Sequence, residues 1–428
     1  MNARCVGAKG QGRRAVLAAG LAVALPLPRV HAAARRTLTV AAFPLVDEIV
    51  KAAIPRWQRM HPDVDVKVVS RQYADHHTAM TTALSTSVYL PDVMTLEASY
   101  VGRFSHGGGL EDLSRQPYDG TRFRSRFVPY AYDTGVNRRG ALVALPTDIG
   151  PGTLLYRIDL LSKAGLTEAD LTPSWEAYVD AGVKIKAATG AYLVANAQNV
   201  KDIVIRGGLR PGEGLYFDRD SRVLVNSPRF VRAFELARAV RRHKLDARVS
   251  AWSNEWAEGF KRGTLATELS GAWMVGQMAN WVAPDTKGLW RAAQLPESTF
   301  VGYGGSFYAI PRQATAANTP LAWELIQLLT LDRERQLAAF KSQDAFPALL
   351  ETHDDPFFEE PLPFLGGQRA RTLWRDAARR ITATEVHKQN NFADEVIGTE
   401  LDNVLDRGKD IGRALAYAER LLQRRAHR

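Results

Sequence analysis

The first structured part of the chain has a strand–helix–strand pattern. Residues 37–43 (TLTVAAF) and 64–70 (VDVKVVS) are short runs rich in β-forming residues, and 46–60 (VDEIVKAAIPRWQRM) has the apolar spacing of a helix. His61-Pro62-Asp63 predicts the turn before the second strand. Such an opening is typical of an open, mostly parallel sheet covered by helices.

The same alternation continues along the chain. Strands are predicted at 92–97, 143–146 and the start of 153–166, and helices at 174–189, 227–245 and 318–340, the last broken near Thr330-Leu331-Asp332. The last 80 residues are mostly helical, and neither an internal repeat nor a Gly/Ser/Pro-rich linker separates independent domains. The pattern predicts an α/β protein of two lobes that are joined by several chain crossings.

Residues 1–34 have the pattern of an export signal. A basic segment precedes the apolar stretch AVLAAGLAVALPL, and small residues follow at 32–34, so cleavage is expected after Ala32 or Ala34. Arg13-Arg14 leaves twin-arginine export open beside the ordinary secretory route, and an uncleaved membrane anchor is the alternative interpretation. We therefore expect a periplasmic protein.

Charge and cysteine content exclude several classes of protein. The formal net charge is +10, but the first 34 residues contribute five basic residues and no acid, and the remaining excess is diffuse. Signatures of nucleic-acid-binding folds are absent, so no nucleic-acid partner is expected. The single cysteine, Cys5, lies inside the predicted signal, which excludes a disulfide framework and a thiolate metal site in the mature chain.

Catalytic motifs are also absent from the sequence. The chain has no G-x-S-x-G, H-E-x-x-H or P-loop pattern, and its Gly-rich runs do not fit the dinucleotide-binding frame. His76-His77 is expected on a solvated helix surface rather than at a metal. Glu97, Asp148 and Glu268 could serve a glycosidase only if two of them faced each other across a cleft. We expect no enzyme activity, cofactor or metal.

Polar side chains follow several predicted strands. Glu97-Ala98-Ser99-Tyr100, Asp148 and Asn196-Ala197-Gln198-Asn199 each come at the carboxyl end of a strand, where open α/β sheets place ligands. The alternative for each is a helix cap, a turn former or a surface residue. Carboxylates and amides beside aromatic rings suit the recognition of sugar hydroxyl groups and apolar sugar faces.

Trp273 has two interpretations in GTLATELSGAWM (263–274). A tryptophan two residues after Gly271 is either a plug in the core or a flat surface for stacking. The residues of this segment alone do not decide between them.

The order of short motifs resembles one family. Residues 256–350 contain, in sequence, F-x-x-G, a strand ending in G-x-W, an LP strand, a Gly-Gly segment, AIP, a helix with A-W-E-x-I and a final FPA turn. The N-terminal half agrees through LPDVMTLEASYVGRFSHGGGLEDL and ALPTDIGPGTLLYRIDLLSKAGL. The chain resembles the type 1 extracellular solute-binding proteins of bacterial ABC importers, the sugar-binding group that includes maltose-binding and glycerol-3-phosphate-binding proteins.

The resemblance implies a fold of the periplasmic-binding-protein type II kind, with two α/β lobes, a ligand cleft and several hinge crossings. The N-terminal lobe would comprise 35–147 and 303–344, and the C-terminal lobe 148–302 and 345–428. It also implies a monomer that captures a sugar or sugar-like polyol by lobe closure and delivers it to a membrane permease. The alternatives are an anionic ligand such as a glycerophosphodiester or uronic oligosaccharide, an exported glycan-processing enzyme, and a signalling role.

The family's site residues transfer by position. The resemblance implies stacking on Trp273, which favours the platform interpretation, and close backbone approach at a glycine segment. The residues expected at the ligand are Phe43, Glu97, Tyr100, Asp148, Asn199, Trp252, Trp273, Gly304, Gly305, Ser306 and Trp374.

Overall fold

The computed structural model describes residues 35–106 and 108–427, so the predicted export signal lies outside the described residues. Seven strands form its sheet: β1 (Arg36–Ala42), β2 (Val64–Ser70), β3 (Val93–Glu97), β4 (Leu145–Arg157), β5 (Thr267–Gly271), β6 (Trp290–Ala293) and β7 (Gly302–Ala309). Their order is β2-β1-β3-β7-β4-β5, and β6 also pairs with β4.

The expectation of a mostly parallel sheet was wrong. Only the β1–β2 and β1–β3 pairings are parallel, whereas β7 and β4 pair antiparallel with each other and with their other neighbours. The strand–helix–strand pattern at 37–70 fixes a parallel pair locally. It carries no information about a strand such as β7, which enters the sheet from more than 200 residues later in the chain.

Sixteen α-helices surround the sheet in the described part of the chain: α1 (Val46–Met60), α2 (Tyr73–Thr86), α3 (Ala98–His106), α4 (Pro129–Thr134), α5 (Ile158–Lys163), α6 (Glu168–Leu171), α7 (Trp175–Thr189), α8 (Ala197–Val204), α9 (Pro228–Arg242), α10 (Asn254–Lys261), α11 (Met274–Gln277), α12 (Thr319–Leu331), α13 (Arg333–Gln343), α14 (Ala370–Ala378), α15 (Asn390–Arg407) and α16 (Ile411–Gln423). None of the helices in the described residues is long and apolar enough to cross a membrane.

Helix boundaries follow the capping signals of the sequence. The side chain of Ser174 accepts the N–H of Ala177 at the start of α7. The break near residues 330–332 is confirmed, because the Asp332 side chain accepts the N–H of Arg335 and starts α13 immediately after α12. Ser227 also occupies an N-cap position, but its side chain makes no capping hydrogen bond.

β4 is one continuous strand of 13 residues where the sequence predicted two shorter strands. Its pairing with β7 shifts register between Pro146 and Asp148 and again between Ile149 and Pro151. Such irregularities bend a strand and increase its local twist. The bend therefore falls on the segment that the sequence assigned to a crossing between lobes.

Two large hydrophobic cores lie along these long strands. One contains Trp57 of α1, Tyr308 of β7 and Trp374 of α14. The other contains Trp175 of α7 and Leu401 of α15. β4 contributes to both cores, with Leu155 in the first and its neighbours Leu154 and Tyr156 in the second. The lobe boundaries given above remain a prediction.

Candidate functional site

A cavity of about 820 Å³ opens where β3, β7, α8 and α15 approach one another. We call this cavity the cleft. Its lining includes Tyr73, Glu97, Ser99, Tyr100, Tyr130, Asp202, Arg206, Tyr216, Tyr303, Gly304, Arg380, Asn391, Asp394 and Glu395. Volumes of this size accommodate small-molecule ligands.

The N-terminal wall of the cleft (Tyr73, His77, Glu97, Ser99 and Tyr100) is held by hydrogen bonds around one carboxylate. β3 ends at Glu97 and α3 begins at the next residue, so the Glu97 side chain lies at the carboxyl end of its strand. Its Oε2 accepts the backbone N–H of Ser99 at 2.9 Å and the hydroxyl of Tyr73 at 3.1 Å. Glu97 is thereby fixed at the edge of the cleft.

His77 supports this wall from behind. Its ring stacks on Tyr100, with centroids 3.9 Å apart and planes 20° from parallel. Nε2 accepts the N–H of Glu97 at 3.2 Å, so Nδ1 carries the proton that is donated to the Tyr73 carbonyl at 2.8 Å. Burial lowers the pKa of His77 to about 4, which keeps the imidazole neutral in this role.

The expectation that His76-His77 lies on a solvated surface was wrong. Both side chains are buried, and the His76 Nε2 lies 2.8 Å from the Thr95 carbonyl of β3. Phe43 packs against both rings. Adjacent residues do point to different sides of α2, but one side meets the sheet and the other meets α3. The helical pattern of α2 does not show which other elements cover these two side chains.

The C-terminal wall (Lys201, Asp202, Arg206, Tyr216 and Asp394) is built from ion pairs. Lys201 of α8 is buried, and its Nζ contacts the carboxylate of Asp202 and lies 3.8 Å from the Asp394 Oδ1 of α15. The Tyr216 hydroxyl donates to the same Asp394 oxygen at 2.5 Å. The Arg206 guanidinium lies 4.8 Å from the ring centroid of Tyr303. These contacts tie α8 to α15 within the C-terminal wall.

Carboxylates outnumber cations along the cleft lining. Five carboxylates line it, from Glu97, Asp202, Glu297, Asp394 and Glu395, against the two guanidinium groups of Arg206 and Arg380. Glu297 is paired with Arg232 outside the cleft, and Asp202 is paired with Lys201. The lining is therefore rich in hydrogen-bond acceptors and does not carry an excess of positive charge.

Asp148 and Ser306 join β4 to β7 beside the cleft. The Asp148 Oδ1 accepts the N–H of Ser306 at 3.1 Å, and burial raises the pKa of Asp148 to about 6. The backbones are close here, since a Cβ on Gly305 would lie 2.9 Å from the Asp148 carbonyl oxygen, and Gly305 has a φ of 127°. Asp148 thus lies in the irregular part of the β4–β7 pairing rather than in the cleft lining.

Trp273 is half-buried and fixed at one edge. Its Nε1 donates to the Tyr303 carbonyl at 2.8 Å, and the indole lies against Gly271. A Cβ on Gly271 would fall 2.3 Å from that nitrogen and 2.6 Å from the Tyr303 oxygen. Glycine at 271 is therefore required for the indole to occupy this position. The indole ring of Trp273 is nearly parallel to that of the exposed Trp252, with ring centroids 6.1 Å apart.

The remaining predicted site residues lie outside the cleft lining. Asn199 forms a capping box, with its Oδ1 accepting the N–H of Asn196 at 2.9 Å. Phe43 is mostly buried, and Trp374 is buried in the core on α14. The structure brings Glu97, Tyr100 and Gly304 to the cleft lining, and it places Gly305, Ser306 and Asp148 beside it.

Sequence reasoning missed most of the C-terminal wall. Asp202 lies in the short helix α8, Arg206 and Tyr216 follow that helix, and Asp394 lies on a helix nearly 200 residues after Asp202. The only sequence signal was the capping motif at Asn196, which marks the start of α8. No group of His, Cys, Asp and Glu suited to a metal ion is found among residues 35–106 and 108–427.

Comparison with known proteins decides the family. The sequence profile of the bacterial extracellular solute-binding proteins matches residues 44–336, more than half of the chain. The chain belongs to this family. The matched region includes β2–β7, Glu97 and Trp273, but it begins after β1 and ends before α14 and α15. For this solute-binding protein, the α15 side of the cleft therefore has to be read from the structure.

Curated relatives cover most of this solute-binding protein. A lactose-binding protein of Rhizobium radiobacter is 25% identical over 381 residues, which is 83% of this chain and 87% of the relative. An arabinooligosaccharide-binding protein of Bacillus subtilis (strain 168) is 24% identical over 271 residues, 61% of each chain.

Solved structures share the fold. The ABC transporter associated binding protein of B. animalis subsp. lactis Bl-04, in complex with beta-1,6-galactobiose, matches with a TM-score of 0.75 and 20% identity, covering 91% of this chain and 97% of that one. The expected α/β fold of periplasmic sugar-binding proteins is thus confirmed. The relatives of this chain are binding proteins, which fits a protein that is not an enzyme.

Proposed function

We propose that this protein is the periplasmic substrate-binding component of an ABC importer and that it captures a neutral oligosaccharide. The observation that carries the proposal is the cleft itself, where carboxylates face an open cavity whose glycine segment also contacts Trp273. Carboxylate oxygens accept hydrogen bonds from sugar hydroxyl groups, and indole faces pack against apolar sugar faces. The lactose-binding and arabinooligosaccharide-binding relatives support this ligand class.

The charge of the lining disfavours the anionic ligands considered from the sequence. A phosphodiester or a uronate in the cleft would meet Glu97, Asp394 and Glu395 as well as the two arginines. Arg206 lies on the Tyr303 ring beside Asp202, which leaves Arg380 as the cation less engaged by acids. A neutral polyhydroxy ligand uses the acceptors without this repulsion.

Closure of the two walls over the ligand is the proposed mechanism. The N-terminal wall lies after β3, and the C-terminal wall lies on α8 and α15, so a sugar that contacts both favours the closed arrangement. Binding shifts the equilibrium only by its difference in affinity for the open and closed forms. The irregular β4–β7 pairing around Asp148 is where we expect the backbone to bend.

Export, delivery and the oligomeric state belong to the same proposal. We expect cleavage of residues 1–34 during export to the periplasm, a monomer in solution, and delivery of the sugar to the permease subunits in the inner membrane. Mass measurement of the exported protein tests the cleavage, and light scattering tests the monomer. Incubation of the bound sugar with the protein should return it unchanged, because no chemical step is proposed.

Asp394 provides the decisive binding experiment. Thermal-shift and calorimetric screening against lactose, arabino-oligosaccharides, β-1,6-galactobiose, uronic oligosaccharides and glycerophosphodiesters should identify a neutral sugar, since a ligand that binds the native state raises its melting temperature. Asp394→Asn should then weaken binding of that sugar about tenfold. Asp402→Asn, at an exposed position of the same helix, is the matched control. Stabilisation by the anionic compounds alone would contradict the proposal.

A further inference from the structure

Three tryptophans form a row beside the cleft. Trp273, Trp252 and Trp281, here called the tryptophan row, have ring planes within 23° of parallel between neighbours. The ring centroids of Trp252 lie 6.1 Å from Trp273 and 5.8 Å from Trp281. Parallel rings at this separation are offset like steps rather than superimposed, because direct stacking would bring the centroids closer. The offset leaves part of each face uncovered by its neighbour in the row.

Trp252, in the middle of the row, and Trp281, at its far end, are exposed. Trp252 is 53% accessible to solvent and Trp281 is 54% accessible, although large apolar side chains are usually covered. Both differ from Trp256, which is buried and supports Trp252 from below with centroids 5.0 Å apart. Packing of the core therefore does not account for Trp252 and Trp281.

The exposed rings are held in place by the protein. Nε1 of Trp281 donates to the Gln277 Oε1 at 2.6 Å, and Nε1 of Trp273 donates to the Tyr303 carbonyl. Trp252 has a φ of 69°, a left-handed conformation that bulky residues rarely adopt. The backbone thus keeps an exposed indole in line with its neighbours, which preserves a rigid surface for a ligand.

The row is continuous with the cleft at Gly304. This glycine lines the cleft, and a Cβ added to it would lie 3.1 Å from the Nε1 of Trp273. Tyr303, whose carbonyl binds that nitrogen, also lines the cleft. The cleft and the row therefore meet at Gly304, and Trp273 is the member of the row next to the cleft.

We propose that Trp252 and Trp281 form an outer subsite that binds additional residues of the oligosaccharide held in the cleft. This inference rests on the proposed function and specifies its substrate class as chains longer than a disaccharide. Indole faces pack against the apolar C–H faces of sugars, and ring spacings of 5.8 and 6.1 Å are on the scale of one sugar residue. The row accordingly determines how affinity depends on chain length.

Calorimetry with oligosaccharides of increasing length tests the inference. Arabino-, galacto- and malto-oligosaccharides of two to five residues are titrated into the full chain. For the series that binds, we expect affinity to rise at least tenfold between two and four residues. Trp281→Ala and Trp252→Ala should each abolish most of this rise, and Trp281→Ala should change the affinity for the disaccharide less than twofold, while Trp281→Phe should recover part of the rise.

The controls separate the inference from the proposed function. Tyr417→Ala removes an exposed aromatic ring from α16 and should change no affinity. Circular dichroism establishes that each variant is folded. Equal affinity for short and long chains in the wild type, or an equal loss at every length in Trp281→Ala, overturns the outer subsite while leaving sugar capture intact. Failure of every series to bind overturns the proposed function and the subsite with it.

Discussion

The N-terminal and C-terminal walls of the cleft satisfy their buried polar groups in different ways. The N-terminal wall uses a neutral imidazole, His77, which accepts one hydrogen bond and donates another. The C-terminal wall buries a cation, Lys201, between two carboxylates. A neutral group tolerates burial once its hydrogen bonds are made, whereas a buried charge depends on its partners. The two walls should therefore respond differently to mutation and to pH.

Glu268 of β5 should give the largest effect, because it is a buried carboxyl near Tyr303 on the side of the C-terminal wall. Burial raises its pKa from 4.5 to about 8. Between about pH 4.5 and pH 8, Glu268 ionises only in the unfolded chain. The free energy of unfolding therefore falls as the pH rises through this range. Glu268→Gln cannot ionise and should gain about 4 kcal/mol over the wild type at pH 8.

Thermal or urea unfolding at pH 4.5, 6 and 8 measures this difference. The difference in unfolding free energy between Glu268→Gln and the wild type should shrink towards zero as the pH falls to 4.5. At that pH Glu268 is protonated in the folded chain and about half protonated in the unfolded chain. Glu255→Gln, at an exposed position on α10, serves as the control. A gain that does not depend on pH would show that Glu268 is ionised in the folded protein.

Asp202 should give the next largest effect, since it is the main partner of the buried Lys201. Asp202→Ala leaves that ammonium with only the Asp394 oxygen at 3.8 Å, and it should reduce the free energy of unfolding by about 3 kcal/mol. The measurement is urea unfolding without ligand at neutral pH. Asp180→Ala, at an exposed position on α7, should cost less than about 0.5 kcal/mol. Equal losses of unfolding free energy in Asp202→Ala and Asp180→Ala would mean that the buried Lys201 does not depend on the Asp202 carboxylate.

His77 should give a smaller, pH-dependent effect on the N-terminal wall. Its pKa is lowered from 6.5 to about 4, so its contribution to stability is complete above pH 6.5 and is lost as pH falls towards 4. His77→Gln keeps an acceptor for the Glu97 N–H but does not titrate. Between pH 6.5 and 4 the wild type should therefore lose about 2 kcal/mol relative to this variant.

The melting temperatures of both proteins across this range provide the measurement. His243→Gln, at an exposed position after α9, should follow the wild type. Sugar affinity should also fall in His77→Ala, because Tyr100 loses its stacking partner, and should partly return in His77→Gln. Parallel pH profiles for the wild type and His77→Gln would contradict the neutral role of His77.

Local patterns in the sequence predicted much of the architecture. The spacing of apolar residues gave β1, α1 and β2, and the structure confirms the helix start predicted at residue 174 and the helix break predicted near residues 330–332. These features depend on contacts between residues a few positions apart, which a sequence displays directly. The order of degenerate motifs added the family, because several weak signals in one order are specific together.

Only the tertiary structure decided how these elements meet. β7 reverses the sheet after three parallel strands, His77 is buried because α3 covers its side of α2, and Asp394 meets Lys201 from a distant helix. Trp273 illustrates both levels. The sequence placed it after Gly271 in a family motif, and its alignment with Trp252 and Trp281 comes from contacts across loops. Periodicity fixes which face of an element is apolar, but the neighbour on that face is chosen by the packing of the whole chain.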